Sequence, residues 1–204
     1  MRKMLLIAVA LCIIQTLLPI NSFAQGLKPG DAAVDFNLKN VDGKMVSLSA
    51  LQDNKGAIVI FTCNHCPFSI AYEDRIIALH QRYSQLGYPV IAINPNDPSI
   101  APGDSYDKMI ERAAEKKFPF VYLYDETQKI ASSYGASRTP HVYLLQKEGN
   151  SYKVAYIGAI DDNTEDVSAV KKNYVQKALG ELMAGKPVSE PSTKAIGCSI
   201  KWKK

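Results

Sequence analysis

Cysteine is scarce in this chain, with four in 204 residues. One of them, Cys12, sits in an N-terminal apolar stretch, which leaves Cys63, Cys66 and Cys198. Three thiols are too few for a disulfide-stapled scaffold, and their odd number leaves one over in any pairing. Net charge is also small. It is +4 for the whole chain and +2 once Arg2 and Lys3 are set aside, so composition gives no reason to expect nucleic acid as a partner. There is no internal repeat and no low-complexity block. No second C-x-x-C pair accompanies the first, so a closed zinc site has poor support and no metal site is assigned. The apolar run Met4–Leu18 is short for a membrane span, and Gln15, Thr16 and Pro19 interrupt it.

That run reads instead as a secretory signal. Arg2 and Lys3 supply a positive start, and Ser22-Phe23-Ala24 places small residues where a signal peptidase reads, so cleavage is expected after Ala24. No cysteine follows at the cleavage site, which argues against a lipid anchor. Removing 24 residues from 204 leaves 180, enough for one domain with its own core. The expected organisation is a signal peptide at 1–24, a domain at 25–185 and a tail at 186–204 that carries Cys198. The expected location is the periplasm or the cell exterior.

Strand and helix signals alternate along the domain. Ala33–Leu38 and Met45–Leu48 flank the turn Val41-Asp42-Gly43-Lys44 and read as a β-hairpin. Ala57–Phe61 is apolar throughout, as in a strand covered on both faces. Phe68, Tyr72, Ile76, Leu79, Tyr83 and Leu86 then recur at helical spacing until Gly87. Strands follow at Tyr88–Ile93, Phe120–Tyr124, His141–Leu145 and Tyr152–Ile157. Helices are expected near Ser105–Lys117, with Met109, Ile110, Ala113 and Ala114 inward, and at Thr127–Tyr134. A last helix is expected over Glu165–Met183, with Val167, Val170, Tyr174, Ala178 and Leu182 inward. Gly185–Lys204 reads as an extended tail. This alternation argues for a mixed α/β sheet with helices on both faces.

The chemistry concentrates at Cys63-Asn64-His65-Cys66-Pro67, directly behind the buried strand. Two thiols two residues apart at a strand-to-helix turn can close a small disulfide, and a helix N-terminus stabilises a thiolate. The turn is followed later in the chain by Thr139-Pro140 opening a strand, and together these resemble the thioredoxin superfamily.

The segments Phe61–Pro67, Asn94–Asp97, Tyr124–Gln128, Ile160–Asn163 and Gly197–Trp202 bring the chain nearer to the redoxin, AhpC/TSA (peroxiredoxin-like) branch of exported thioredoxin-like proteins. The resemblance implies a thioredoxin-like fold: a central mixed β-sheet flanked by helices, with an N-terminal hairpin and an extended C-terminal tail. It also implies a cis-proline at Pro140 packed beside the cysteines. Carried over by residue, it makes Cys63 the attacking thiol and Cys66 the resolving one. Thr62, His65, Pro67, Thr139 and Pro140 then tune the pair or meet substrate.

The implied activity is thiol–disulfide exchange without a cofactor. The implied partners are protein or small-molecule thiols and disulfides, plus a soluble or membrane-bound thiol electron donor or acceptor. The upstream cysteine of such a turn is expected to cap the helix, to be the more exposed of the two, and to have a lowered pKa.

Three departures qualify the resemblance. Thr62 stands where thioredoxins carry Trp. Ala57–Phe61 lacks their buried carboxylate, which leaves His65 or a water as candidate proton acceptor for Cys66. The peroxidatic pattern Pro-x-x-x-Thr-x-x-Cys fits neither Cys63 nor Cys66. A thiol peroxidase with Cys63 peroxidatic and Cys66 or Cys198 resolving is the first alternative, and a copper-binding or metallochaperone module is the second. Cys198 is a candidate third redox thiol, brought by the tail to Cys63 or joining two chains, or else an idle neighbour of Trp202. His141 is either beside the site or at the surface, and His80 reads as a surface residue.

Overall fold

The computed structural model describes residues 26–51 and 53–204, so the expected signal peptide lies outside the described residues. The elements run β1 (Asn37–Asn40), β2 (Met45–Ser47), β3 (Gly56–Phe61), α1 (Pro67–Tyr83), β4 (Val90–Asn94) and α2 (Tyr106–Lys116). They continue with β5 (Val121–Tyr124), α3 (Lys129–Tyr134), β6 (Arg138–Thr139), β7 (His141–Glu148), β8 (Ser151–Gly158), α4 (Tyr174–Met183) and β9 (Cys198–Ser199). Seven strands form one sheet in the order β2-β1-β5-β4-β3-β7-β8. The pairs β3–β4 and β4–β5 are parallel and the others antiparallel, so the sheet is mixed, as expected.

The continuous apolar run of β3 is explained by its place near the middle of the sheet. Alternate side chains feed two cores. Ile58 and Ile60 join the layer under α1, α2 and α4, which contains Tyr72, Ile76, Leu79, Met109, Val175 and Leu179. Ala57, Val59 and Phe61 join the opposite layer, with Ala131 and Tyr134 of α3. The long helix α1 begins with Pro67 in its first turn, where the ring costs no hydrogen bond. A 3₁₀ turn and Gly87, at φ +92°, end it where a side chain would be strained.

Two sequence expectations need correction. The last helix occupies only Tyr174–Met183, and Val167 is exposed rather than inward. Side chains compete for the backbone in the missing half. Asn163 Oδ1 accepts from the N–H groups of Glu165 and Asp166, and Asp162 accepts from those of Lys171 and Lys172. Such local bonds replace helical ones. In α2 only Met109 is fully buried, while Ile110 and Ala114 face outward.

The C-terminal tail is extended but fixed to the body. Ile200 is buried in the second core layer, and β9 pairs antiparallel with β6. Its position bears directly on the cysteines.

Candidate active site

Thr62 N–H donates to Ile93 O (2.9 Å), which carries the parallel pairing one step past β3 before the chain turns. Cys66 is the N-cap of α1, at φ −69° and ψ 123°, and its carbonyl accepts the first helical bond from Ile70. The first turn holds no acidic residue, so the positive end of the helix is left for the sulfurs. Thr139 and Pro140 are both buried, and the peptide bond between them is cis, as the resemblance implied. This corner presses on the pair: Thr139 Oγ1 lies 3.2 Å from Cys63 Sγ, and Thr139 O lies 3.3 Å from Cys66 Sγ.

The sulfurs differ from expectation in two ways. Cys63 is a free thiol and only 3% exposed, while Cys66 is fully buried and joined in a disulfide to Cys198 of the tail. Burial raises the Cys63 pKa above the ordinary thiol value, and the charge of Asp104 adds to the rise. Hydrogen bonds with Thr139, the Cys66 backbone N–H and Ser69 only partly oppose this. The helix cap is therefore Cys66, and the expectation of an exposed, acidified Cys63 is corrected. The cause is the register of β6 and β9, which sets Cys198 opposite Thr139 and so over Cys66. Cys198 meets Cys66, not Cys63.

Behind the turn lies a polar anchor that sequence reasoning missed. Asp104 is fully buried. Its Oδ1 accepts the Asn64 backbone N–H (2.7 Å), and its Oδ2 accepts Asn96 Nδ2–H (2.7 Å) and meets His65 Nδ1 at 2.5 Å. Tyr122 O–H donates to Asn64 Oδ1 (2.8 Å), and Asn64 Nδ2 donates to Gly103 O (2.9 Å). The Cys-x-x-Cys turn is thus held from below, and His65 is oriented by a carboxylate with its ring partly exposed. No spacing in the sequence points to Asp104, which sits alone in Pro102-Gly103-Asp104-Ser105. A buried carboxylate does occur on α1, at Glu73. Glu73 shares a small cavity with Thr62, Cys63, Asn64 and Tyr122, and it is bridged by Arg112 and Lys116.

Pro67 is exposed, and Thr62 is buried at the rim of that cavity. His141 is also buried, which corrects the surface reading of it, and it pairs with Phe61, two residues before Cys63. Burial, aided by Arg138, pushes its pKa down to about 4, so it is neutral at pH 7. His80 is half-buried, not a surface residue, and accepts the Val90 N–H at 3.2 Å. Cys63, His65 and Asp104 bring a thiol, an imidazole nitrogen and a carboxylate oxygen within 4.8 Å, a set able to ligate a soft or borderline metal. As arranged, Asp104 spends both oxygens on hydrogen bonds that hold the turn.

Asp104 gives a direct prediction. Replacing it with Asn removes a negative charge near the Cys63 sulfur while keeping most of the shape. The pH midpoint for alkylation of reduced Cys63 by iodoacetamide is expected to fall, so the thiolate forms at lower pH. A midpoint that rises would show that Asp104 acts mainly by holding a His65 cation against the thiolate.

A parallel β3–β4–β5 centre, a Cys-x-x-Cys turn at the start of α1 and Thr139, on a cis-proline corner, against both sulfurs define a thioredoxin-type thiol redox domain. The AhpC/TSA family model matches residues 29–157, and the chain belongs to the AhpC/TSA family. It is similar to the thiol-disulfide oxidoreductase ResA of Halalkalibacterium halodurans, with 25% identity over 68% of this chain and 74% of that protein. It is also similar to the chloroplastic peroxiredoxin Q of Populus jackii, with 25% identity over 63% of this chain and 60% of that protein. Among solved structures, a conserved protein of Geobacillus kaustophilus superposes with a TM-score of 0.79. Identity there is 37%, over 90% of this chain and 94% of that one. Among the described residues no helix is long and apolar enough to cross a membrane.

Proposed function

We propose that this protein is a thiol–disulfide oxidoreductase of the cell envelope, exported by a signal peptide cleaved after Ala24. The observation that carries this reading is the contact of Thr139, on the cis-proline corner, with both Cys63 and Cys66 at the N-terminus of α1. Relatives described as thiol-disulfide oxidoreductases support it. The domain at 25–185 holds the exchanging pair, and the tail at 186–204 supplies Cys198.

In the reduced protein the Cys63 thiolate attacks a substrate disulfide and one substrate sulfur leaves. The Cys66 thiolate, favoured by the helix N-terminus, then attacks Cys63 Sγ, closes the Cys63–Cys66 bond and releases the reduced substrate. The reverse sequence oxidises a dithiol. No cofactor enters either direction, and substrates are protein or small-molecule thiols and disulfides. Thr139 Oγ1, at 3.2 Å, and the Cys66 backbone N–H are the groups placed to stabilise the attacking thiolate.

Replacing Cys66 with Ser removes the resolving sulfur, so mixed disulfides with substrate are expected to accumulate. Non-reducing gels of the variant after incubation with insulin would show them. A variant that traps no partner contradicts the reading. The peroxiredoxin Q relative favours a second reading, in which Cys63 reduces peroxide. Sulfenic acid at Cys63, formed faster than at free cysteine under micromolar peroxide, would support that one instead.

A further inference from the structure

The three sulfurs differ in access. Cys63 and Cys66 are buried, whereas Cys198 is half-buried, the least buried cysteine among the described residues. The segment bearing Cys198 is seated by several independent contacts. Cys198 pairs with Thr139 and Ser199 with Arg138. Arg138 Nη1 donates to Gly197 O (2.8 Å), Ile200 N–H to Ser137 O (3.2 Å), and Lys201 N–H to Asn96 Oδ1 (2.9 Å). A Cβ on Gly197 would stand 2.2 Å from Thr139 O, so the tail backbone lies directly on the corner that touches both active-site sulfurs.

We infer that Cys198 is a third redox residue, which takes the disulfide over from Cys63–Cys66 and offers it to the electron donor. The inference rests on the exchange at Cys63 and Cys66 proposed above. Once a substrate has been reduced, Cys63 and Cys66 share a bond. The Cys198 thiolate attacks Cys66 Sγ, the Cys66–Cys198 bond forms, and Cys63 leaves as a thiolate that takes up a proton. Two cysteines stay oxidised throughout, so this step needs no outside oxidant.

An external thiol donor then attacks Cys198 Sγ and frees Cys66, and a second donor thiol resolves the mixed disulfide, leaving the donor oxidised. The state with Cys66 bonded to Cys198 and Cys63 reduced is the one the structure holds. While that bond persists, β9 occupies the edge of Arg138–Thr139. A partner strand can add there only where the tail has left that edge.

The test is disulfide mapping on the mature chain, with no variant required. After oxidation by glutathione disulfide, alkylation and non-reducing digestion, mass spectrometry is expected to find Cys66 linked to Cys198 and Cys63 alkylated. A Cys63–Cys66 link with Cys198 alkylated overturns the relay. Cys198→Ser is expected to form the Cys63–Cys66 disulfide and still reduce one equivalent of insulin disulfide per reduced protein. Its re-reduction by glutathione is expected to be slower by about tenfold, because the donor must then attack one of the two buried cysteines. Re-reduction at the wild-type rate removes the relay but leaves the Cys63–Cys66 reading intact. A folded Cys198→Ser protein, or failing that Cys198→Ala, that forms no Cys63–Cys66 disulfide and reduces no substrate removes both.

Discussion

Cys63→Ser is expected to abolish catalysed disulfide reduction, with a loss of roughly a thousandfold or more in insulin reduction by dithiothreitol. Only a thiolate attacks a disulfide at a useful rate, and a hydroxyl at this position is not ionised near neutral pH. The substitution is close to isosteric. Among the described residues the Cys63 sulfur is hydrogen-bonded to two side chains, Thr139 Oγ1 at 3.2 Å and Ser69 Oγ at 3.7 Å. Serine can keep both, so the thermal midpoint is expected to stay within a few degrees of wild type. Activity and stability therefore separate in this variant. If Cys63→Ser keeps activity and Cys198→Ser loses it, the attacking sulfur is in the tail.

The second large effect is on stability. Asp161 follows β8 and is 2% exposed, and it accepts from Tyr72 O–H (2.7 Å) and twice from Arg75 Nη1 (2.9 and 2.8 Å). Arg75 also donates to the carbonyls of Asn163 and Thr164, and its guanidinium lies over the Tyr72 ring. The cluster ties α1 to the loop that replaces the first half of the expected last helix. Asp161→Ala leaves the mostly buried Arg75 charge without its counter-charge, at a cost of about 3–5 kcal/mol. In a domain of this size that lowers the thermal midpoint by roughly 10 °C. Urea unfolding of wild type and variant checks it. A loss below about 1 kcal/mol would show that water reaches Arg75 in the variant and replaces the carboxylate.

The fold and the pair were legible where local chemistry decides structure. Ala57–Phe61 is strand-like because every side chain is apolar, and burial on both faces follows from its central place in the sheet. The helix after Cys66 was legible from its periodic apolar residues and from the Gly87 that ends it. The corner at Pro140 came with the family resemblance, and the structure has it cis.

What escaped depends on partners distant in sequence or on competition within a loop. Helical periodicity over Glu165–Met183 failed because Asp162, Asn163 and Asp166 bind nearby backbone N–H groups more readily than they continue a helix. The Cys66–Cys198 bond spans 132 residues, and nothing in the spacing selects it over a bond between neighbours. It follows from strand pairing between two-residue segments too short to announce themselves. Asp104 was invisible for a related reason. Its role depends on Asn64, His65 and Asn96 meeting around one buried carboxylate, a fact of tertiary structure alone.

The account depends most on the identity of the attacking sulfur. Peptide mapping of the mixed disulfide trapped by Cys66→Ser on insulin identifies it directly. In that variant both Cys63 and Cys198 are free to react. The predicted result is an insulin peptide linked to Cys63, with Cys198 recovered alkylated. An insulin peptide on Cys198, with Cys63 alkylated, would contradict it.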